Sequence, residues 1–462
     1  MRPVAARRML VIGDSDSYVK WGAALASGLP ADWAVEIVVL ASPVQPSARQ
    51  LEDALSGSAF TIGQVRVRQL TDVARLVAEL RPDAVLLALR GPMVRVVIRA
   101  LAAVPNRPVL VSGFPGITIP AVPKAIVYRE QTDLIVLHSR HEVREFSRNA
   151  ERMPVSVGFG LATLPFLGRP AAVPVPTSDS APDRAPEGPT STVADSIVFA
   201  AQAIVPRRLD DRIALLQWLI ETARAHPEQR VVVKVRARAG EAQTHAEAHD
   251  FGALLDDREL ADRWGGTLPA NLVVEDGPMG DHLARAVALV TVSSTAALEA
   301  VAADIPVLLL DDFGIAPGII NTVFVDSGLF GDAGDLRAGR FRHPRPEWLA
   351  DNYFHGVAAD DWQEQLEQLV ARRDTAPLPL EPQRHNLRGG RLRRAWDRKR
   401  MLGSHDDSAA GFLAMVIAVP SLWVLRRARR VVRVVLPPPL PVPLSRDSTP
   451  GERAVAGEAA LR

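Results

Sequence analysis

Short apolar runs alternate with helical patterns twice along this chain, and a proline-rich break separates the two series. The first series has runs at 9–13 (MLVIG), 34–40 (AVEIVVL), 65–70 (VRVRQL), 83–89 (DAVLLAL), 107–113 (RPVLVSG) and 132–139 (TDLIVLHS). Helical patterns such as DVARLVAEL (72–80) and VRVVIRALAAV (94–104) lie between them. The second series has runs at 196–202, 230–237, 271–277, 286–292 and 305–312, with an amphipathic helix pattern over 212–225. Strands separated by helices read as βαβ units and a parallel sheet. Near-continuous apolar runs mark strands covered on both faces. The expectation is therefore α/β: two Rossmann-like domains, 1–163 and 196–375, joined by a Pro/Ala/Ser-rich linker at 164–195.

Beyond 375 the character changes. A basic and apolar tail spans 376–440, and a polar, low-complexity end spans 441–462. The run 411–425 (GFLAMVIAVPSLWVL) is interrupted by Pro420 and is shorter than the roughly 20 residues of a spanning helix. Arginines crowd 426–433. Two readings stand: an anchor over 411–435 on an anionic membrane surface, or a helix packed back on the first domain with its arginines solvated.

Formal net charge is +1, so no global field points to nucleic acid. There is no cysteine, which excludes disulfides, thiolate metal sites and a cysteine nucleophile. The N-terminus carries no signal-peptide pattern, so the expected location is cytoplasmic, on the inner membrane face if the tail anchors. No G-x-G-x-x-G follows the first strand, and no Walker or nucleophile-elbow motif is present, which argues against oxidoreductase, NTPase and α/β-hydrolase chemistry.

The segment LVTVSSTAALEAVAADIPVLLLDD (289–312) concentrates the chemistry. A strand ending at Val292 would deliver Ser293, Ser294 and Thr295 to the carboxyl edge of a sheet, where open α/β sheets bind ligands. A helix starting near Thr295 would aim its free N–H groups at a phosphate. Glu299, one turn on, could accept both hydroxyls of a ribose. The plainer alternative makes Ser294 an N-cap and Glu299 a solvated residue. Lys234 and Arg236 alternate on the strand 230–237, so they share one side and could neutralise phosphate or guard an edge. In the first half, Asp14 and Asp16 follow strand one in VIGDSDSYVKWG and are candidate general bases; helix capping is the alternative for Asp16. Lys20 and Trp21 could bind an acceptor, and Gly91 and Gly113 would allow its close approach. Ser139 and Glu142 have capping-box spacing and are assigned to structure. No metal site is expected.

The order strand, Ser/Thr turn, helix with Glu, then Asp304-Ile305-Pro306-Val307 resembles the donor half of GT-B glycosyltransferases. In that superfamily the turn binds the nucleotide-sugar diphosphate and the Glu binds ribose. Asp304 stands where a glycine is usual, and Asp tolerates the left-handed turn better than most residues. With its DSDSYVKW start and VSSTAALEA centre, the chain resembles an uncharacterised bacterial family of glycosyltransferases, and the donor turn is also similar to that of capsule-type sialyltransferases. The resemblance implies sugar transfer without cofactor or metal, from a nucleotide-sugar to a cell-envelope glycan or lipid-linked acceptor. A sugar-nucleotide 2-epimerase, a polyol-phosphate transferase and a non-catalytic nucleotide-binding scaffold share the architecture.

Overall fold

A computed structural model of the chain describes residues 7–167, 194–235, 249–385 and 390–417. Most of the 164–195 linker and the tail beyond 417 lie outside the described residues.

Among the described residues, thirteen strands form two separate all-parallel sheets. The first contains β1 (Arg7–Gly13), β2 (Trp33–Leu40), β3 (Arg66–Arg68), β4 (Ala84–Ala88), β5 (Val109–Gly113), β6 (Leu134–Leu137) and β7 (Gly158–Leu161), in the order β3-β2-β1-β4-β5-β6-β7. The second contains β8 (Ser196–Ala200), β9 (Arg230–Lys234), β10 (Leu272–Glu275), β11 (Ala286–Thr291), β12 (Val307–Leu310) and β13 (Phe330–Gly331), in the order β10-β9-β8-β11-β12-β13. Both are doubly wound, and the order reverses beside β1 in one sheet and beside β8 in the other. The two crevices where such sheets bind ligands are therefore β1/β4 and β8/β11. Helices on both faces explain the apolar runs: Leu10 to Ile12, Val85 to Leu87 and Leu308 to Leu310 are each fully buried.

Two strands escape the sequence reading. β13 is only two residues long. β7 reads GFGL, and its glycines suppress the strand signal. Gly160 has a packing reason: a Cβ there would lie 2.9 Å from the Cβ of Trp362.

That contact corrects the expected end of the second domain. The helix Trp362–Thr375 follows the second sheet in sequence but returns to the first. Its Trp362, Leu366 and Val370 are buried in the same core as Val11, Leu86 and Val136. Trp33 Nε1 donates to Glu367 Oε1 at 2.9 Å on its flank. Two Rossmann-like domains with the helix Trp362–Thr375 crossing back form the GT-B arrangement. The strap that follows runs along the first domain, which holds it with Arg107 donating to the Pro379 carbonyl at 2.6 Å and Gln131 to that of Glu381 at 2.7 Å. Helix Gly390–Leu402 then packs on helix Gly91–Leu101, burying Leu402 in that domain's second core. The run 411–425, for which an anchor and a packed-back helix are the two readings, is described only as far as 417. Among the described residues, no helix is long and apolar enough to cross a membrane.

Replacing Trp362 with alanine removes the largest side chain of the returning helix from a closed core. Such truncations cost about 3–5 kcal/mol. Urea titration should show that loss; a change under about 1 kcal/mol would mean the helix is not part of the first core.

Candidate active site

The second crevice is built as the sequence suggests, with one addition. β11 ends at Thr291, and the turn that follows carries Ser293, Ser294 and Thr295 into the short helix Ala296–Ala302. Ser293 is buried and engaged with Gln202 from the end of β8. Its N–H donates to Gln202 Oε1 at 3.0 Å, and its hydroxyl lies 3.0 Å from Gln202 Nε2. Gln202 therefore spans the strand-order reversal. It lies 91 positions away from Ser293 in sequence, and nothing local marks it. Ser294 Oγ accepts the Ala296 N–H at 3.2 Å, a local turn just ahead of the helix, whose N-cap is Thr295. Thr291 Oγ1 donates to the Ala200 carbonyl at 3.0 Å and stitches the two strand ends together. Asp304 takes φ of +58°, the left-handed conformation expected where glycine is usual.

Arg212 holds the loop after β8. Fully buried, it donates to the carbonyls of Gln202, Ala203 and Pro206 at 2.8–2.9 Å and lies 4.6 Å over the Phe251 ring. Five guanidinium donors match a cluster of backbone acceptors that helix or sheet pairing leaves open. Lys234 ends β9, buried at 8% exposure and in register with Glu275 on β10. Glu275 in turn accepts from Arg230 at 2.5 Å and lies 3.4 Å from His282 Nδ1. A depression of about 390 Å³ sits at these strand ends, lined by Val235, Val274, Glu275 and Asp276. Arg236 lies outside the described residues.

The first crevice departs further from expectation. Asp14 leaves β1 fully buried, and its carboxylate accepts Arg90 Nε at 2.8 Å and the Arg90 N–H at 3.3 Å. Burial pushes its carboxyl above the usual aspartate value, against the opposing pull of Arg90. Asp14 thus spans the β1/β4 crevice and holds Arg90 there. Asp16 opens helix Asp16–Ser27 half-buried, with the Ser17 hydroxyl 3.3 Å from its Oδ1. Arg129, fully buried, repeats the role of Arg212: it donates to the Leu89 and Gly113 carbonyls at 3.2 and 3.0 Å and to Tyr18 at 3.2 Å.

Three residues expected to bind an acceptor have internal partners instead. Trp21 is fully buried and donates to His138 Nε2 at 2.7 Å. The His138 proton therefore sits on Nδ1, given to the Ala162 carbonyl at 2.9 Å, and burial holds this ring below the usual histidine value. Gly113 is small because Trp21 passes over it: a Cβ there would lie 2.4 Å from the indole. At Gly91 a Cβ would meet the Tyr128 ring at 2.7 Å. These glycines make room for rings.

The two crevices face each other. Lys20 of the first-domain helix reaches Glu299 of the second at 3.7 Å. Thr295 lies against Gly116, where a Cβ would be 2.7 Å from its methyl group. Glu142 buttresses this approach. Ser139 does cap its helix, as expected, accepting the Glu142 N–H at 3.0 Å. The Glu142 carboxylate, fully buried, accepts the His138 N–H at 2.9 Å, the Thr118 N–H at 3.0 Å and the Tyr353 hydroxyl of the second domain at 2.7 Å. Among the described residues, no group of three or more His, Asp and Glu side chains is placed to hold a metal ion.

Residues 9–369 match the family described as "Putative glycosyltransferase (DUF6716)". The chain belongs to this family. No curated protein sequence matches it. Similar solved structures include a UDP-GlcNAc 2-epimerase from Methanocaldococcus jannaschii, with TM-score 0.47, 11% identity, and coverage of 80% of this chain and 100% of that one. They also include UGT89C1 of Arabidopsis thaliana with UDP-L-rhamnose, at TM-score 0.45 and 14% identity, covering 79% and 98%. MnaA of S. aureus with UDP matches at TM-score 0.44 and 11% identity, covering 76% and 91%. These are distant likenesses; the architecture of this family member stands on its own strand order.

Two substitutions check the site's construction. Gly113→Ala forces a methyl group into the Trp21 ring and should cost about 1–3 kcal/mol with no ligand present, read as a lower unfolding midpoint. For Asp14, whose native value is raised above 3.8, the native state keeps its proton longer than the unfolded chain does. Its contribution to stability therefore falls as pH rises from 3.8 through the native value and is flat above. Melting wild type and Asp14→Asn across pH 4–7 should show wild type losing ground to the variant as pH increases through that window.

Proposed function

We propose that this protein transfers a sugar from a nucleotide-sugar held by the second domain to an acceptor held by the first, a cell-envelope glycan or lipid-linked saccharide. The observation that carries the reading is the Lys20–Glu299 contact at 3.7 Å, which brings the carboxyl edges of both sheets to one cleft. Membership of the family described as "Putative glycosyltransferase (DUF6716)" supports this reaction class.

In this reading the nucleoside lies along the ends of β8, β9 and β10, and Glu299 accepts the ribose hydroxyls. The Ser294–Thr295 turn receives the diphosphate, with Lys234 and Lys20 as its charge partners. Asp16 takes the proton from the acceptor hydroxyl as the glycosidic bond forms and the nucleotide leaves. Asp14 is the poorer base because Arg90 and burial enclose its carboxylate; it positions Arg90 instead. Rate enhancement comes from fixed geometry and from charge stabilisation of the departing phosphate.

A thermal-shift series with UDP, GDP, dTDP, CMP and their sugar conjugates tests the donor site. A ligand at a hundredfold excess over Kd adds about 2.7 kcal/mol. One nucleotide class should respond, and Glu299→Ala should abolish the shift. Asp16→Asn should keep the shift but lower acceptor-dependent nucleotide release by about 10²–10⁴-fold. No response to any nucleotide would sink the reading. Nucleotide-sugar turnover without an acceptor would replace transfer with epimerisation or hydrolysis.

A further inference from the structure

The last described helix, 409–417, is inside out for a chain surrounded by water. Gly411 and Ala414 are buried against the protein, whereas Phe412, Leu413, Val416 and Ile417 are 67%, 56%, 53% and 44% exposed. These four occupy positions i, i+1, i+4 and i+5, so they form one continuous stripe. A helix packed only for its own core would turn its bulky residues inward and leave Gly and Ala outside.

The orientation is held by specific bonds. Arg398 donates to Asp406 Oδ2 at 3.1 Å and also to Ser408 Oγ, and Lys399 donates to the Asp406 carbonyl at 2.6 Å. Gly411 is required at this joint, because a Cβ would lie 2.5 Å from Asp406 Oδ2 and 2.9 Å from Ser408 Oγ. The joint fixes the stripe relative to helix Gly390–Leu402 and so to the first domain.

Beside the stripe lies a groove of about 330 Å³ whose walls include Arg99, Arg391, Arg394 and Arg398, with Val96 and Ala410 between them. Arg391 and Arg394 are exposed and form no ion pair among the described residues. Burial, helped by Arg95 and Arg394 and opposed by Asp397, holds Arg99 below the ordinary guanidinium value. Residues 390–417 carry six Arg and Lys against three Asp, and the sequence that follows, 418–435, adds five Arg and no acid.

We infer that this face docks on an anionic phospholipid bilayer, the stripe entering the acyl boundary and Arg391, Arg394 and Arg99 meeting lipid phosphates. An apolar stripe beside arginines, two of them exposed and without an ion pair among the described residues, fits that surface. A second copy of the chain would oppose arginine to arginine and is disfavoured by the same charges. The inference stands apart from the transfer reading, since it concerns where the chain sits and not what it converts.

Cosedimentation of the full chain with vesicles tests it. Binding should be at least tenfold stronger to phosphatidylcholine vesicles containing 30% phosphatidylglycerol than to pure phosphatidylcholine, on the order expected for several charges near such a surface. Phe412→Glu with Ile417→Glu should reduce binding to the anionic vesicles more than tenfold. Arg391→Glu with Arg394→Glu should erase the preference for anionic lipid. Unchanged thermal midpoints in both double variants establish that the fold is intact. The inference is overturned by equal binding to both vesicle types, by no binding, or by binding that neither variant lowers. Concentration-dependent dimerisation without vesicles that Phe412→Glu abolishes would also overturn it, in favour of a second copy.

Discussion

One buried carboxylate governs how the two halves meet. Glu142 accepts three hydrogen bonds, from the His138 N–H, the Thr118 N–H and the Tyr353 hydroxyl. A carboxylate without water is tolerated only when its lone pairs are filled. Each of its donors therefore depends on the others. Thr118 closes the loop that carries Gly116 against Thr295. Tyr353 comes from the second domain, and its hydroxyl is held far above the usual phenol range by burial and by Glu142 itself, so it remains a donor at any working pH. Losing that donor would leave a buried charge short of a partner. The cleft is thus held by an internal hydrogen-bond requirement, and outside it by the more exposed bidentate bridge from Arg144 to Asp351 at 2.6 and 2.7 Å.

The same economy of polar groups appears at both sheet edges. Parallel strands buried on both faces leave polar groups only one place to gather, where the strands end. Arg129 in one domain and Arg212 in the other collect the carbonyls that loops release there. Arg–carbonyl clusters of this kind fix loop paths without a carboxylate. They also leave positive charge beneath the edges where the proposed diphosphate and acceptor would lie.

The strands were legible because burial on both faces writes itself as consecutive apolar residues; Val85 to Leu87 needs no partner to be recognised. The left-handed turn at Asp304 was legible through the resemblance, which has glycine at that position. What stayed hidden was pairing across distance. Asp14 and Arg90 are 76 positions apart, and Glu142 and Tyr353 are 211 apart. Neither carries a local mark of its partner. Gly91 and Gly113 show a further limit: a glycine at a strand end reads the same whether the approaching group is a ligand or a ring. Trp362 is the sharpest case. Its helix is amphipathic in either domain, and only Gly160, absent a side chain, records that it returns to the first.

The Lys20–Glu299 pair joins these observations to the chemistry. Its ends are 38% and 18% exposed and 3.7 Å apart, so it is a loose ion pair, of a kind worth about 0–1 kcal/mol. Glu299 can exchange such a partner for a ribose diol at little cost, since two neutral hydroxyls would satisfy the same lone pairs. Lys20 would then be released toward the turn at Ser294 and Thr295, where the diphosphate of the proposed donor brings negative charge. A tight, buried pair would have resisted that exchange, as Asp14 and Arg90 do. In the proposed reading the two ion pairs would divide the work: the enclosed one holds the geometry of the first crevice, and the open one would yield to the donor.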